Sequence, residues 1–513
     1  MAQYGHETPL PGHRTPKSDR TPESPSHGFP VHRRMRFLQG EPITEPLPIV
    51  DALRHTPYRN PATMNTPVRD DGIRKALDLC VRVGELLLRC GAGTRDVEAS
   101  VVAVAAAAGL RRLEVDLTNQ SLLIQAPAPS GEPVTMLRVV RSSTRDFARL
   151  TEVHQLVQEL ISGGFTDVDD ALKDLRRIQR VARIYPRWLI GLAFGALAGA
   201  VCALLGGHLT AVVVAVVSGV CVDRIGQALN NRHLPSFYVD AVGSGLSVIL
   251  AWLAYLLSAK GGFGLSMDPN DFAYAVSGGL VVLLPGRAMA ASVEDAITGY
   301  PVTGAGRLLT VFLTAAGIIV GVAGGLSLTL KLGVVFKLEL YTPGSLQFGS
   351  QRASVAVQVL FGAVGAAAGA LTMRTKPRFI LPTAALGALA LGIAATFPLI
   401  WGVGSTSAVA ASCVVVGLLG RVVALRWGAP ALVLVLPAVS PLLPGLRIFE
   451  GMYYAIAGTV VGTGRVVQQS AALPTLLGAV GIALAISTGV VLGDVMAAPL
   501  DRTALRRRRT RHR

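Results

Sequence analysis

The chain has 513 residues, 51% of them apolar and only 16% charged, with 56 glycines. Its 48 Lys and Arg against 32 Asp and Glu leave a formal net charge of +16, so the basic residues must gather outside the apolar runs. Arg clusters that abut apolar spans are the mark of a membrane protein, which argues against nucleic acid as a partner.

Residues 1–70 read as a disordered tail, because prolines recur among Ser, Thr, His and Arg and little apolar surface is available to offset ordering entropy. The polar, proline-rich start has none of the features of a signal peptide. Residues 71–180 read as a small α+β domain. Ile73, Leu77, Val81, Leu87 and Leu88 recur at helical spacing, and Gly91-Ala92-Gly93 stops that helix. Thr94 is expected to cap the next helix. The period then switches to two, with strands expected at 113–117, 122–125 and 134–141. Ser143 with Asp146, and Thr166 with Asp169, resemble capping boxes for two further helices. His154 is the domain's only histidine, and no nucleophile elbow accompanies it. Cys80, Cys90, Cys202, Cys221 and Cys413 have neither CxxC nor zinc spacing, so no disulfide framework, metal or cofactor is implied.

From Trp188 the chain is membrane. Ten apolar spans are expected, at 188–205, 208–225, 237–259, 272–292, 308–330, 353–372, 379–400, 404–425, 429–449 and 473–497. The basic loops include Arg374, Lys376, Arg378, Arg421 and Arg426, and an Arg-rich tail spans 499–513. They fall on one side if both termini are cytoplasmic, which makes the 71–180 domain cytoplasmic.

Leu-Leu-Pro-Gly occurs twice, at 283–286 in the fourth span and 442–445 in the ninth. Gly306-Arg307 follows the first copy and Gly464-Arg465 the second. Proline removes a helical N–H and crowds the preceding turn, so each copy predicts a broken helix. Small-residue ladders recur in step: Gly191, Gly195 and Gly199 in span one against Gly365 and Gly369 in span six. Gly317, Gly321 and Gly325 in span five answer Ala485, Gly489 and Gly493 in span ten. The fold class is therefore a mainly α-helical multi-pass membrane protein, an inverted five-plus-five repeat with halves at 186–340 and 350–498.

Val83-Gly84-Glu85-Leu86-Leu87-Leu88 with Gly91-Ala92-Gly93-Thr94-Arg95-Asp96-Val97-Glu98 resembles the opening motif of the threonine/serine exporter family. The Leu-Leu-Pro-Gly span followed by Asp295 and Gly304-Ala305-Gly306-Arg307 resembles that family's first membrane half. The resemblance covers about 71–497. It implies export of threonine and serine across the bacterial cytoplasmic membrane, driven by protons, and it brings no settled catalytic or binding residues to carry over.

The site rests on chemistry instead. A zwitterion needs one partner for its carboxylate and one for its ammonium. Helix N-termini at Pro285, Gly286, Pro444 and Gly445, with Arg287 and Arg447, suit the carboxylate. Asp240, Asp295 and Glu450 are the candidates for the ammonium or the coupling proton. Substrate, protons and lipid are the expected partners, and a homo-oligomer is allowed. Two rivals remain at this point: a membrane-anchored hydrolase with its chemistry in 71–180, and a channel or sensor.

Overall fold

The computed structural model describes Ile49, Leu53, Tyr58 and residues 70–509, apart from 119, 128–131, 141–143, 182–183, 262–265, 337–352 and 461–465. Gly464-Arg465, Ser143 and most of the expected tail lie outside these residues.

The domain that precedes the membrane follows the expected order. Helices α1 (Asp70–Cys90) and α2 (Thr94–Ala107) lead into strands β1 (Glu114–Leu117), β2 (Ser121–Pro127) and β3 (Pro133–Val139), then α3 (Phe147–Ser162) and α4 (Val168–Arg180). The sheet is antiparallel in the order β1-β2-β3, with Glu114 opposite Gln125 and Ser121 opposite Val139. Leu122, Ile124 and Ala126 point from β2 into the core, as period-two alternation requires. Ile49, Leu53 and Tyr58 are also buried there, so the core draws on residues upstream of position 71.

The caps differ from the sequence reading. Gly93 precedes α2 without a side-chain cap, and Thr94 is the first helical residue. Asp146, not Ser143, caps α3, accepting the Arg149 N–H at 3.1 Å. Asp167 precedes α4 without a side-chain cap, and Asp169 instead pairs with Lys75 at 2.7 Å. For α3 the Asp itself is the cap, while the Thr94 N–H and the Asp169 carboxylate take tertiary partners.

The membrane part begins with α5 (Arg187–Leu204), α6 (Leu209–Asn231) and α7 (Ser236–Ala259). A bent pair follows, α8 (Pro269–Val281) and α9 (Gly286–Ile297), then α10 (Pro301–Phe336). The second series is α11 (Val355–Thr372), α12 (Pro377–Trp401), α13 (Ser405–Trp427), α14 (Leu432–Val439), α15 (Gly445–Val460) and α16 (Val466–Arg509). Among the described residues nine segments are long and apolar enough to cross a membrane, and α8–α9, bent by 56°, makes a tenth. Helices α14 and α15 together form one of the nine, joined through a 3-10 turn at Ser440–Leu442.

Glycine ladders fix the packing. Gly317, Gly321 and Gly325 of α10 press on α7, where added Cβ atoms would meet Phe237 O, Ala241 O and Val248. Gly489 and Gly493 of α16 press in the same way on the backbone of α13, at Ala410 O and Val414 O. Small residues let these backbones approach where lipid supplies no hydrophobic drive.

This generates a paired test. Gly321→Ala drives a methyl into the Ala241 carbonyl and should cost about 1–3 kcal/mol. Gly324→Ala, with nothing within 4 Å, should be neutral or stabilising by up to about 1 kcal/mol. Thermal unfolding in detergent reads both, and equal midpoints for the two variants would contradict the packing.

Candidate translocation site at two helix breaks

Both Leu-Leu-Pro-Gly copies fold the same way. Gly286 N–H returns to Leu284 O at 2.9 Å, and Gly445 N–H returns to Leu443 O at 2.9 Å. Pro285, at φ −82° and ψ 48°, is the centre of an inverse γ-turn. One helical turn further, Met289 N–H reaches Pro285 O at 3.0 Å and Ile448 N–H reaches Pro444 O at 3.2 Å. Proline thus stops one helix, and its own carbonyl starts the next.

The breaks abut. A Cβ on Gly286 would lie 3.1 Å from Leu443, and one on Gly445 would lie 2.8 Å from Ser277 O and 3.0 Å from Val281. Helices α5 and α11 lean on the same region: Gly278 meets Ala198 O of α5, and Gly365 and Gly369 of α11 meet Pro441 and Ser440. Pro285, Gly286 and Arg287 are half-buried, Pro444 and Gly445 are buried, and Arg447 is exposed.

Charged groups flank the breaks on opposite sides. Arg287, Glu294 and Asp295 lie on α9, toward the preceding domain. Asp295 is fully buried, 2.7 Å from Arg307 of α10, and accepts the Thr94 N–H at 3.1 Å. Gly91-Ala92-Gly93-Thr94 therefore docks directly on the first broken span. Gly91 has φ +89°, and a Cβ there would overlap the Arg287 guanidinium. A Cβ on Gly93 would lie 2.8 Å from Glu294 Oε1. Glu294 also feels Asp96 from the domain and Asp494 of α16, itself paired with Arg421 of α13. Beyond the second break, Glu450 accepts from the Tyr454 hydroxyl at 3.3 Å, with Arg447 in electrostatic range. Asp240 of α7 is half-buried beside Thr314.

The structure so brings Asp295 to Arg307 and Thr94, and Glu450 to Arg447 and Tyr454, while Asp240 sits apart on the domain side. Sequence reasoning missed the docking role of Gly91–Thr94, taking it only as a helix stop. Two glycines in three residues were the available signal of close backbone approach. It also missed Arg307 as a buried partner and Arg421–Asp494 as a pair.

Burial pushes the His154 imidazole down to about 4 and the Cys90 thiol up to about 12, which makes the first a weak base and keeps the second protonated near neutral pH.

A many-span membrane protein with touching helix breaks and buried charge beside them belongs to the class of transporters. The relatives agree. A family model described as a putative threonine/serine exporter matches residues 78–329, and a second, threonine/serine exporter ThrE, matches 358–496. The chain is 34% identical over 433 residues to a probable threonine/serine exporter of Mycobacterium tuberculosis, covering 83% of this chain and 77% of that protein. It is 29% identical over 461 residues to a threonine/serine exporter of Corynebacterium glutamicum, covering 88% of each. A probable succinate transporter subunit, YjjP of Escherichia coli, is 24% identical over 256 residues, 50% of this chain but 95% of that protein. No solved structure matches. This chain belongs to the threonine/serine exporter family and is a transporter, not an enzyme.

Thr94→Pro tests the docking contact. Proline is tolerated at a first helical position, so α2 should persist while the N–H to Asp295 is lost. A hydrogen bond to a charged group contributes about 1.5–3 kcal/mol, so amide exchange around 91–97 should quicken tenfold or more. Unchanged exchange would show that the contact holds nothing.

Proposed function

We propose that this protein exports threonine and serine from the cytoplasm through a site at the two helix breaks, driven by the proton gradient. The abutting γ-turns at Pro285 and Pro444 carry this reading, because freed backbone at membrane depth survives only where protein or a polar cavity covers it. The names of the relatives supply the substrate class.

The chain is read as a cytoplasmic domain at 71–180 followed by membrane halves at 186–340 and 350–498. The matching ladders of α10 on α7 and α16 on α13 support an inverted repeat. So does the separate matching of the two family models. The domain touches the turns after α9, α11 and α13, through Thr303, Met373 and Gly428. With Arg374, Lys376 and Arg426 near those turns, the positive-inside rule supports both termini in the cytoplasm.

In this reading Arg287 and Arg447 meet the substrate carboxylate from opposite sides of the breaks. Asp240 and Glu450 serve the ammonium or the proton. Asp295, locked between Arg307 and the Thr94 N–H, holds the inner end of the first broken span. Removing one partner of such a buried pair costs about 3–5 kcal/mol, which suits a structural latch better than a titrating carrier.

Cells loaded with a threonine-containing dipeptide should export threonine faster with this protein than without it, and a protonophore should slow the export. Equal rates with and without the protein would remove threonine as a substrate. Protonophore-insensitive export would remove proton coupling.

Pro285→Ala and Pro444→Ala each restore a helical N–H and favour a continuous helix. Both variants should reach the membrane at parental abundance and lose most export. Parental export by both would make the breaks packing features only.

A further inference from the structure

The segment that enters α3 is pinned at both ends. Thr144 N–H bonds Arg89 O at 2.7 Å within the domain. Phe147 and Ala148 N–H bond Met373 O and Arg374 O, at 3.0 and 3.1 Å, in the turn between α11 and α12. Asp146, Phe147 and Ala148 are buried, and Arg145 beside them is exposed to water. From this short strap the Arg145 side chain reaches toward the membrane helices.

The guanidinium carbon lies 5.8 Å from the centroid of Phe194. Phe194 is seven residues into α5, about 10 Å along it at 1.5 Å per residue. A side chain from outside the membrane part thus reaches roughly two turns along a spanning helix. Asp240, early in α7, and Asp223, late in α6, are both within its electrostatic reach, as is Arg287. Yet Arg145 makes no hydrogen bond or ion pair among the described residues. Its two acidic neighbours are occupied elsewhere or stand off: Asp223 accepts from Gln227 at 2.7 Å, and Asp240 lies beside Thr314.

Guanidinium presents a planar fork of N–H donors that matches a carboxylate with two parallel bonds. Here the exposed guanidinium is backed by an aromatic face, with Asp240 in its electrostatic reach. A free α-amino acid carries one anionic and one cationic end, which is the inverse of that arrangement.

We propose that Arg145 of the cytoplasmic domain binds the carboxylate of the exported amino acid at the domain-side mouth, with Asp240 receiving its ammonium. The domain thereby completes the entry site. This rests on the export reading above and adds to it a residue from outside the membrane halves.

Inside-out vesicles test it by threonine uptake from the domain side, with threonine amide, which lacks the carboxylate, as competitor. For the parent, threonine should compete well and the amide poorly. Loss of a charge-assisted contact weakens binding by about tenfold or more. Arg145→Gln should therefore raise half-saturating threonine by that factor and leave competition by the amide unchanged, with maximal uptake largely kept. Arg145→Lys, which keeps charge but loses the fork, should fall between, and it carries the test if Arg145→Gln does not reach the membrane. Parental half-saturation and parental preference for threonine over its amide in the variant would overturn the proposal while leaving export intact. Absence of threonine uptake by the parent would instead overturn the export reading, and the proposal with it.

Discussion

A helix interrupted at membrane depth leaves backbone groups that no lipid can satisfy. Most of this molecule follows from meeting that constraint twice. At each Leu-Leu-Pro-Gly the glycine N–H folds back two residues, and the proline carbonyl accepts from the next turn. The remaining exposure is covered by the other break, Leu443 against Gly286 and Ser277 against Gly445. That requirement draws the two halves together at one point and accounts for the glycine-lined faces of α8 and α11 around it.

Much of the fold could be read from the chain because apolar length and small-residue spacing are one-dimensional signals. All ten expected spans have counterparts, and the ladders of α10 and α16 lie at close helix contacts, as small-residue spacing implies. The second break was less legible. Pro437, Pro441 and Pro444 all fall near it, and a 3-10 turn absorbs the change of direction, whereas the first break bends by 56°. Caps were misread because Thr94 and Asp169 answer to partners far away in sequence, and because Asp146 is itself the cap of its helix, accepting from Arg149 three places on.

The candidate site was legible at its centre and not at its edges. Pro285, Pro444 and the arginines after them could be found from a repeat. The partner of Asp295 could not, since the Thr94 N–H is 201 residues away and carries no side-chain signature. Nor could Arg145, whose neighbours Phe194, Asp223 and Asp240 come from three different helices. Periodicity reports what an element buries, not which distant backbone it meets.

The domain holds two parts of the membrane bundle at once, α9 with α10 and the turns after α11 and α13. It grips the first through Thr94 on Asp295 and Leu117 on Thr303, and the second through Glu152 on Lys376 at 3.2 Å and Gln155 on Gly428. A body bolted to two moving parts is a mechanical linkage. If the halves rock about the touching breaks, their motion passes through the domain as torque, and one set of these bonds must yield. The two grips differ in kind: the first is a charged contact sealed from water, the second a row of bonds at turns, among them the buried Phe147 and Ala148 N–H on Met373 O and Arg374 O. Because both grips include buried bonds, the domain stiffens the face of the membrane part that it covers against any movement that would part them.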